Sequence, residues 1–367
     1  MIFLAASTLL SCACNDLCKR IWPIEVRYPA LLEKREETMH YPAFARDLIG
    51  STGFHVNITG KRKDLLLAAC DSLFVDAQKS NDAAVQIGEQ TLKLNLANPA
   101  ERLLYYAPHN LLRSYKNSDL HSVILRLAAP HKLFVDIGAN LGLYSFLARK
   151  AGFETLLFEP EPVHNRFLKR NAPAFGSVID CALSDTCGIL NFFVSGEANP
   201  GSSSLVMPEG GWSQSEYEQV VPVRVSTFDA ILAELVIAPS SIGLIKIDVE
   251  GNEEKTVRGM SRYLNSSDAA PIWCEVRGPS SGRGRNSVES VSSFLAKFGY
   301  LPLRVQKGVI VPFNWRARDV PQVFDILFAI PSRHHKLFLP YAGSNSIFAS
   351  NKPLFPSRTK KSEWEGN

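Results

Sequence analysis

From residue 131 onward the chain alternates short apolar runs with amphipathic stretches of ten or more residues. Short apolar runs read as buried strands and the longer amphipathic stretches as helices, so the rhythm predicts βαβ units around a mostly parallel sheet. The pattern predicts strands at residues 133–135, 155–158, 178–179, 242–247 and 272–276, with helices starting near Leu141, Pro162, Glu253 and Val288. Two further β-like runs, 190–194 and 220–225, flank a Gly/Ser/Pro-rich stretch at 196–211, which is expected to be a mobile loop or lid. Residues 323–330 read as one more buried strand, and the Ser/Lys/Pro-rich tail beyond Pro331 is expected to add little to the fold. Upstream the pattern is mixed: 65–74 has helical spacing, and 85–96 alternates like two strands around the turn Gly88-Glu89.

The 367 residues allow one sizeable α/β domain with additions. With 46% hydrophobic and 21% charged residues the chain is of ordinary globular composition. A net charge of +4, with both signs mixed along the chain, leaves no concentrated basic footprint, so nucleic acid is not expected as a partner. Seven cysteines, an odd number with several in apolar runs, point to a reduced, cytoplasmic compartment. Cys12, Cys14 and Cys18 lack a fourth ligand at finger-like spacing, and no metal is expected there. Residues 1–10 are apolar but far shorter than the roughly 20 residues of a membrane span. Leu9-Leu10-Ser11-Cys12 resembles a lipoprotein cleavage site, but the missing basic residues argue against export, and no stable membrane insertion is expected.

The candidate chemistry begins where the run Leu133-Phe134-Val135 enters Asp136-Ile137-Gly138-Ala139-Asn140-Leu141-Gly142. A strand running through a glycine turn into a helix brings backbone close to a ligand at the carboxyl edge of a sheet. Gly138 and Gly142 leave no Cβ in the way. Asp136 can accept hydrogen bonds from loop amides or a cofactor ammonium group, or serve only to cap the turn. The next strand ends in Glu159, seventeen positions after Gly142, where an acid grips the ribose hydroxyls of an adenosine cofactor in this architecture. The turn is G-x-N-x-G rather than G-x-G-x-x-G, which favours a nucleoside cofactor without phosphates over a dinucleotide. Ser184 and Asp185, after the third strand, are placed to reach an adenine edge or to form a polar turn. In Lys246-Ile247-Asp248-Val249-Glu250 the period of two puts Lys246, Asp248 and Glu250 on one face at the end of the fourth strand. Charges there are costly to bury without a use or a partner, and mutual ion pairing is the bland alternative. Glu275 ends the fifth strand in a similar way.

Taken in order, 135–142, Phe158-Glu159-Pro160, Leu183-Ser184-Asp185, Ser226-Thr227-Phe228-Asp229 and 245–251 resemble the motif series of the FkbM-type methyltransferases, over about residues 100–332. The resemblance implies a Rossmann-like class I methyltransferase core: a mostly parallel, seven-stranded sheet with helices on both faces. To this the chain adds an N-terminal α/β extension, giving 1–100 as extension, 101–332 as methyltransferase domain and 333–367 as tail. It also implies S-adenosylmethionine as methyl donor and a small-molecule or glycan acceptor, usually a hydroxyl of a sugar, polyketide or other natural product. Carried over, Asp136, Gly138, Asn140 and Gly142 line the methionine side, Glu159 the ribose, and Asp185 lies near the adenine. Phe228 stands where the family pattern often has Leu.

Methyl transfer to an alcohol calls for alignment and for a positioned base. Asp248 is the first candidate for that base and Glu250 the second, with Lys246 orienting them or the acceptor; His164 is a remote alternative. Two other classes fit the same crevice: a nicotinamide-dependent oxidoreductase, against which the glycine pattern speaks, and a non-catalytic cofactor-binding module.

Overall fold

A hairpin of β1 (Asp82–Ile87) and β2 (Gln90–Asn95), turning at Gly88-Glu89 as the alternation predicts, precedes three helices: α1 (Pro99–Tyr106), α2 (Pro108–Lys116) and α3 (Asp119–Leu127). The chain continues through β3 (Leu133–Ile137), α4 (Leu143–Ala151), β4 (Glu154–Phe158), α5 (Pro162–Arg170), α6 (Ala172–Phe175) and β5 (Ser177–Ile179). A small side sheet follows, β6 (Ala182–Leu183), β7 (Gly188–Ser195) and β8 (Tyr217–Ser226), and then α7 (Phe228–Glu234). The second half adds β9 (Ile242–Ile247), α8 (Glu253–Arg258), α9 (Ser261–Leu264), β10 (Ile272–Arg277), α10 (Ser287–Ala296), β11 (Leu301–Gln306), β12 (Val309–Pro312) and β13 (Val323–Ala329). This computed structural model describes residues 82–106, 108–195, 201–207, 217–278, 287–306, 309–316 and 321–339. Residues 1–10, Cys12, Cys14, Cys18, the 65–74 segment, most of 196–211 and the tail past 339 lie outside the described residues.

The main sheet runs β12-β11-β13-β10-β9-β3-β4-β5. Strands β5, β4, β3, β9 and β10 are parallel, whereas β13 is antiparallel to both β10 and β11, and β12 is antiparallel to β11. The sheet is mostly parallel, as expected, but the expected seven strands are corrected to eight among the described residues, three of them at one end running in antiparallel pairs. The strands missed were β11 and the four-residue edge strand β12, at one end of the sheet. Pro302 and Arg304 interrupt the apolar run of β11, so it carries no continuous signal. The predicted strands and helix starts of the parallel half otherwise agree with the structure to within about two residues.

Because helices cover both faces, the parallel strands are buried on both sides and read as unbroken apolar runs. On one face Val135, Ile137, Ile245, Ile247 and Cys274 pack with Phe228, Val257 and Leu295 of the helices. On the other, Phe134, Leu244, Trp273 and Leu327 pack under α3 and α4 through Val123, Ile124 and Ala148. A third cluster joins the hairpin residues Ile87, Leu92 and Leu94 to Phe146, Phe167 and Phe175. At roughly 1.5–3 kcal/mol per fully buried large aliphatic side chain, this contact ties the hairpin firmly to α4 and α5. Asn171 adds direction: its side chain accepts from Lys93 N at 2.7 Å and donates to Lys93 O at 2.9 Å. Among the described residues no helix is long and apolar enough to cross a membrane.

Candidate active site

Strand β3 is flanked by β4 on one side and β9 on the other, and the chain leaves it toward β4 but returns to β9 only later. At such a switch point the loops leaving the carboxyl ends diverge and open a crevice. The turn after β3 forms its floor. Gly138 has φ +76°, and a Cβ there would overlap the carbonyl oxygen of Asp248, whose own amide donates to Ile137 O at 3.0 Å. Only glycine lets the loops after β3 and β9 cross so closely. Asn140 is also left-handed (φ +50°), a conformation asparagine tolerates better than most residues.

Glu159 follows β4 and turns its carboxylate back into this turn. Asn140 N donates to Oε2 at 2.6 Å and Glu161 N donates to Oε1 at 2.9 Å. Burial pushes its pKa up to about 8, even though the two amides favour the charged form. Beneath the turn lies a buried ion cluster. Lys246 Nζ stands 3.1 Å from Asp136 Oδ1 and 3.4 Å from Asp248 Oδ2, and donates to Gly138 O at 2.9 Å. Cross-strand register brings this about, because Asp136 of β3 and Lys246 of β9 are direct neighbours. Burial alone would lower the ammonium pKa, but Asp136 and Asp248 outweigh it and hold Lys246 protonated. Ser145 Oγ donates to the other Asp136 oxygen at 2.7 Å, and the Tyr144 ring covers the ammonium at 5.9 Å.

Lys246 and Asp248 keep the strand's alternation, but Glu250 does not continue it. Glu250 lies past the end of β9 with φ +53°, and Arg277 Nη2 donates to its carboxylate at 2.5 Å. Carboxylate oxygens of Asp248, Glu250 and Glu275 lie within 4.8 Å of one another. Burial, then Asp248 and Glu250, push the Glu275 pKa well above the usual carboxylate range. Asp325, paired with Glu275 across β10 and β13, is pushed up to about 6, by burial and then by Asp248.

Gly138, Asn140, Glu159, Asp248 and Glu250 line a single cleft of about 120 Å³. Asp136 and Lys246 are buried directly under it, while Gly142 caps α4 one turn away and packs on Leu168 and Phe175. At the far end Leu183 lines the cleft, whereas Ser184 is buried, with its amide bonded to Ser226 O, and Asp185 is exposed. His164 also lines the cleft, 3.4 Å from Glu161, and burial lowers its pKa. Glu161, Tyr144 and Asp325 went unread in the sequence as site residues. Glu161 carried one signal, its place two residues after the acid that ends β4; Asp325 is delivered by antiparallel register, which leaves no local pattern.

Residues 136–302 match the family model described as the methyltransferase FkbM domain. The 31-O-demethyl-FK506 methyltransferase FkbM of Streptomyces tacrolimicus is 28% identical over 167 residues, which is 38% of this chain and 62% of that protein. The chain therefore aligns with less than two thirds of that relative's length. Methyltransferase sdnD of Sordaria araneosa is 28% identical over 197 residues, covering 44% of this chain and 74% of that protein. Among solved structures, a TehB-like SAM-dependent methyltransferase from Corynebacterium glutamicum is 13% identical, with 64% of this chain and 100% of that chain covered, at a TM-score of 0.33.

Proposed function

From the match of residues 136–302 to the methyltransferase FkbM domain, we propose that the chain is an S-adenosylmethionine-dependent methyltransferase acting on a hydroxyl of a sugar, glycan or other small natural product. The observation that carries the reading is the meeting, at one switch-point cleft, of the glycine turn, the buried acid Glu159 and the Lys246-held carboxylate of Asp248. The acceptor class is supported by the name of the Streptomyces tacrolimicus relative, an O-demethyl-FK506 methyltransferase. We assign catalysis to residues 101–332. The free cysteines Cys181, Cys187 and Cys274 favour a cytoplasmic location.

The donor set suits a nucleoside with a charged amino-acid arm. Glu159 offers buried carboxylate oxygens beside the turn, and Gly138 leaves a backbone wall that any Cβ would spoil. Glu159 would hold the ribose, Gly138 and Asn140 the methionine side, and Leu183 and Phe158 the flat base. Bound there, the cofactor supplies a methyl group on a sulfonium centre. The chain's own residues do the rest, by orienting the acceptor and removing its proton. Asp248 lines the cleft and takes the hydroxyl proton on a carboxylate oxygen, and Lys246 fixes that carboxylate from below. Glu250, already bound by Arg277, is the poorer base. Glu275 lines the same wall, and burial with Asp248 and Glu250 beside it pushes its carboxyl well above the usual carboxylate range.

The test is calorimetric binding of S-adenosylhomocysteine to the wild type and to Glu159→Ala, with NAD as control ligand. Micromolar binding abolished by the substitution is expected; no binding, or a preference for NAD, would overturn the reading. In an acceptor screen Asp248→Asn should lose methyl transfer while keeping its affinity for S-adenosylhomocysteine.

A further inference from the structure

The segment 201–207, between β7 and β8, lines the cleft and is held through Gly201, Ser203 and Ser204. Gly201 lies close against Asn140 of the turn after β3, where an added Cβ would stand 3.7 Å from Asn140 Nδ2. Ser204 Oγ donates to Glu250 O at 2.7 Å, in the turn after β9. Between them Ser203 Oγ donates to Glu161 Oε2 at 2.7 Å and accepts from Ser195 N at 3.0 Å. Ser204 also exchanges two backbone bonds with Phe193, at 2.8 and 3.0 Å, so the segment continues the β7 edge. Gly201, Ser203 and Leu205 thus line the cleft opposite Gly138 and Glu159. Glu161 is 6% exposed and lies on the fixed side of this contact, between β4 and α5.

We propose that Glu161 is a positioning residue that clamps the 201–207 segment, through Ser203, as a roof over the nucleoside end of the cleft, so that cofactor release waits on the breaking of this bond. The proposal rests on the methyltransferase reading for the identity of the ligand, though not for the clamp itself. The anchors are unequal in kind. Phe193 and Glu250 hold Ser204 by or to backbone groups. The Glu161–Ser203 bond joins a buried carboxylate to a hydroxyl, the type of bond whose loss costs most. Glu161 takes no part in the proton chemistry above: its backbone amide serves Glu159, and the same carboxylate oxygen that takes the Ser203 bond stands 3.4 Å from His164 Nδ1 on the following helix.

Two measurements on the full chain decide it. The first is dissociation of radiolabelled S-adenosylhomocysteine, chased with unlabelled ligand, from the wild type, Ser203→Ala, Glu161→Ala and Glu161→Gln. Dissociation should be about five-fold faster or more in Ser203→Ala and in Glu161→Ala, as expected for losing a hydrogen bond to a charged group. Glu161→Gln, whose amide oxygen still accepts from Ser203, should lie nearer the wild type. An unchanged dissociation rate in Ser203→Ala overturns the clamp. The second is amide hydrogen exchange at Ser204 in the ligand-free proteins, which should speed up in Ser203→Ala with the thermal midpoint unchanged. If the wild type binds no S-adenosylhomocysteine, the cofactor reading falls, and the exchange result alone still decides whether Glu161 holds the segment.

Discussion

Replacing Lys246 with methionine removes one charge from the most buried ion pair of the molecule's site. The side chains of Lys246 and Asp136 are 5% and 1% exposed and stand 3.1 Å apart. Methionine matches the apolar stem, so little volume is lost and the change falls on Asp136, which keeps one donor, Ser145. Removing one member of a buried pair costs about 3–5 kcal/mol, because the remaining charge is left without compensation. Asp248 adds little to this, since it is one-third exposed and solvent screens it. For a domain of this size the loss lowers the thermal midpoint by at least about 6 °C. Urea unfolding followed by circular dichroism reads the same free energy. The double variant Asp136→Asn/Lys246→Met should recover most of it, since a neutral amide can still take the Ser145 bond. If Lys246→Met costs under about 1 kcal/mol, or the double variant is no more stable than the single, the pair is not the buried strut described here.

Gly138→Ala should lose S-adenosylhomocysteine binding in calorimetry and lower the thermal midpoint, because it combines a left-handed φ, costing about 1–2 kcal/mol, with an overlap on the Asp248 carbonyl. Wild-type affinity in Gly138→Ala would contradict the crossing of the two loops. Glu159 has a folded pKa of about 8, above its ordinary value of 4.5, so the folded state holds an extra proton between these limits. Its contribution is therefore full below about pH 4.5 and is lost as pH rises through 8. The urea midpoint of the wild type should fall more steeply between pH 5.5 and 8.5 than that of Glu159→Gln; equal slopes would refute the assignment. Phe228 is fully buried against Phe158 and Tyr263, with ring centroids at 6.4 and 5.2 Å. Phe228→Ala should cost about 3–5 kcal/mol by urea unfolding, and Phe228→Leu, the residue frequent in the family pattern, clearly less.

Much of the parallel half was legible from the chain alone. The reason is that β3, β4, β9 and β10 are buried on both faces, so each is a continuous apolar run, and each is followed by its own helix. The glycine turn and Glu159 were equally legible, since a backbone forced to φ +76° and an acid at a strand's end are local facts with local signals. The resemblance to the FkbM-type methyltransferases followed from several such signals in order, and residues 136–302 match that domain's model. What lay beyond the sequence was set by contacts between distant segments. The Asp136–Lys246 pair joins residues 110 positions apart because β3 and β9 lie side by side, a choice of strand order that no local pattern encodes. β11 was hidden because Pro302 and Arg304 interrupt its apolar run, and β12, the edge strand beside it, because four residues are too short a run to read as a strand. Glu250 was placed on the wrong footing by extrapolating the period of two past Ile247, where the backbone turns left-handed and hands its carboxylate to Arg277. Glu161 and Ser203, 42 positions apart, meet only because the side sheet folds back over the switch point. Short-range rules settle which residues become strand, turn and helix; which charges face one another is decided by the packing of those elements, because electrostatic and hydrogen-bond partners depend on distance in space and not on separation along the chain.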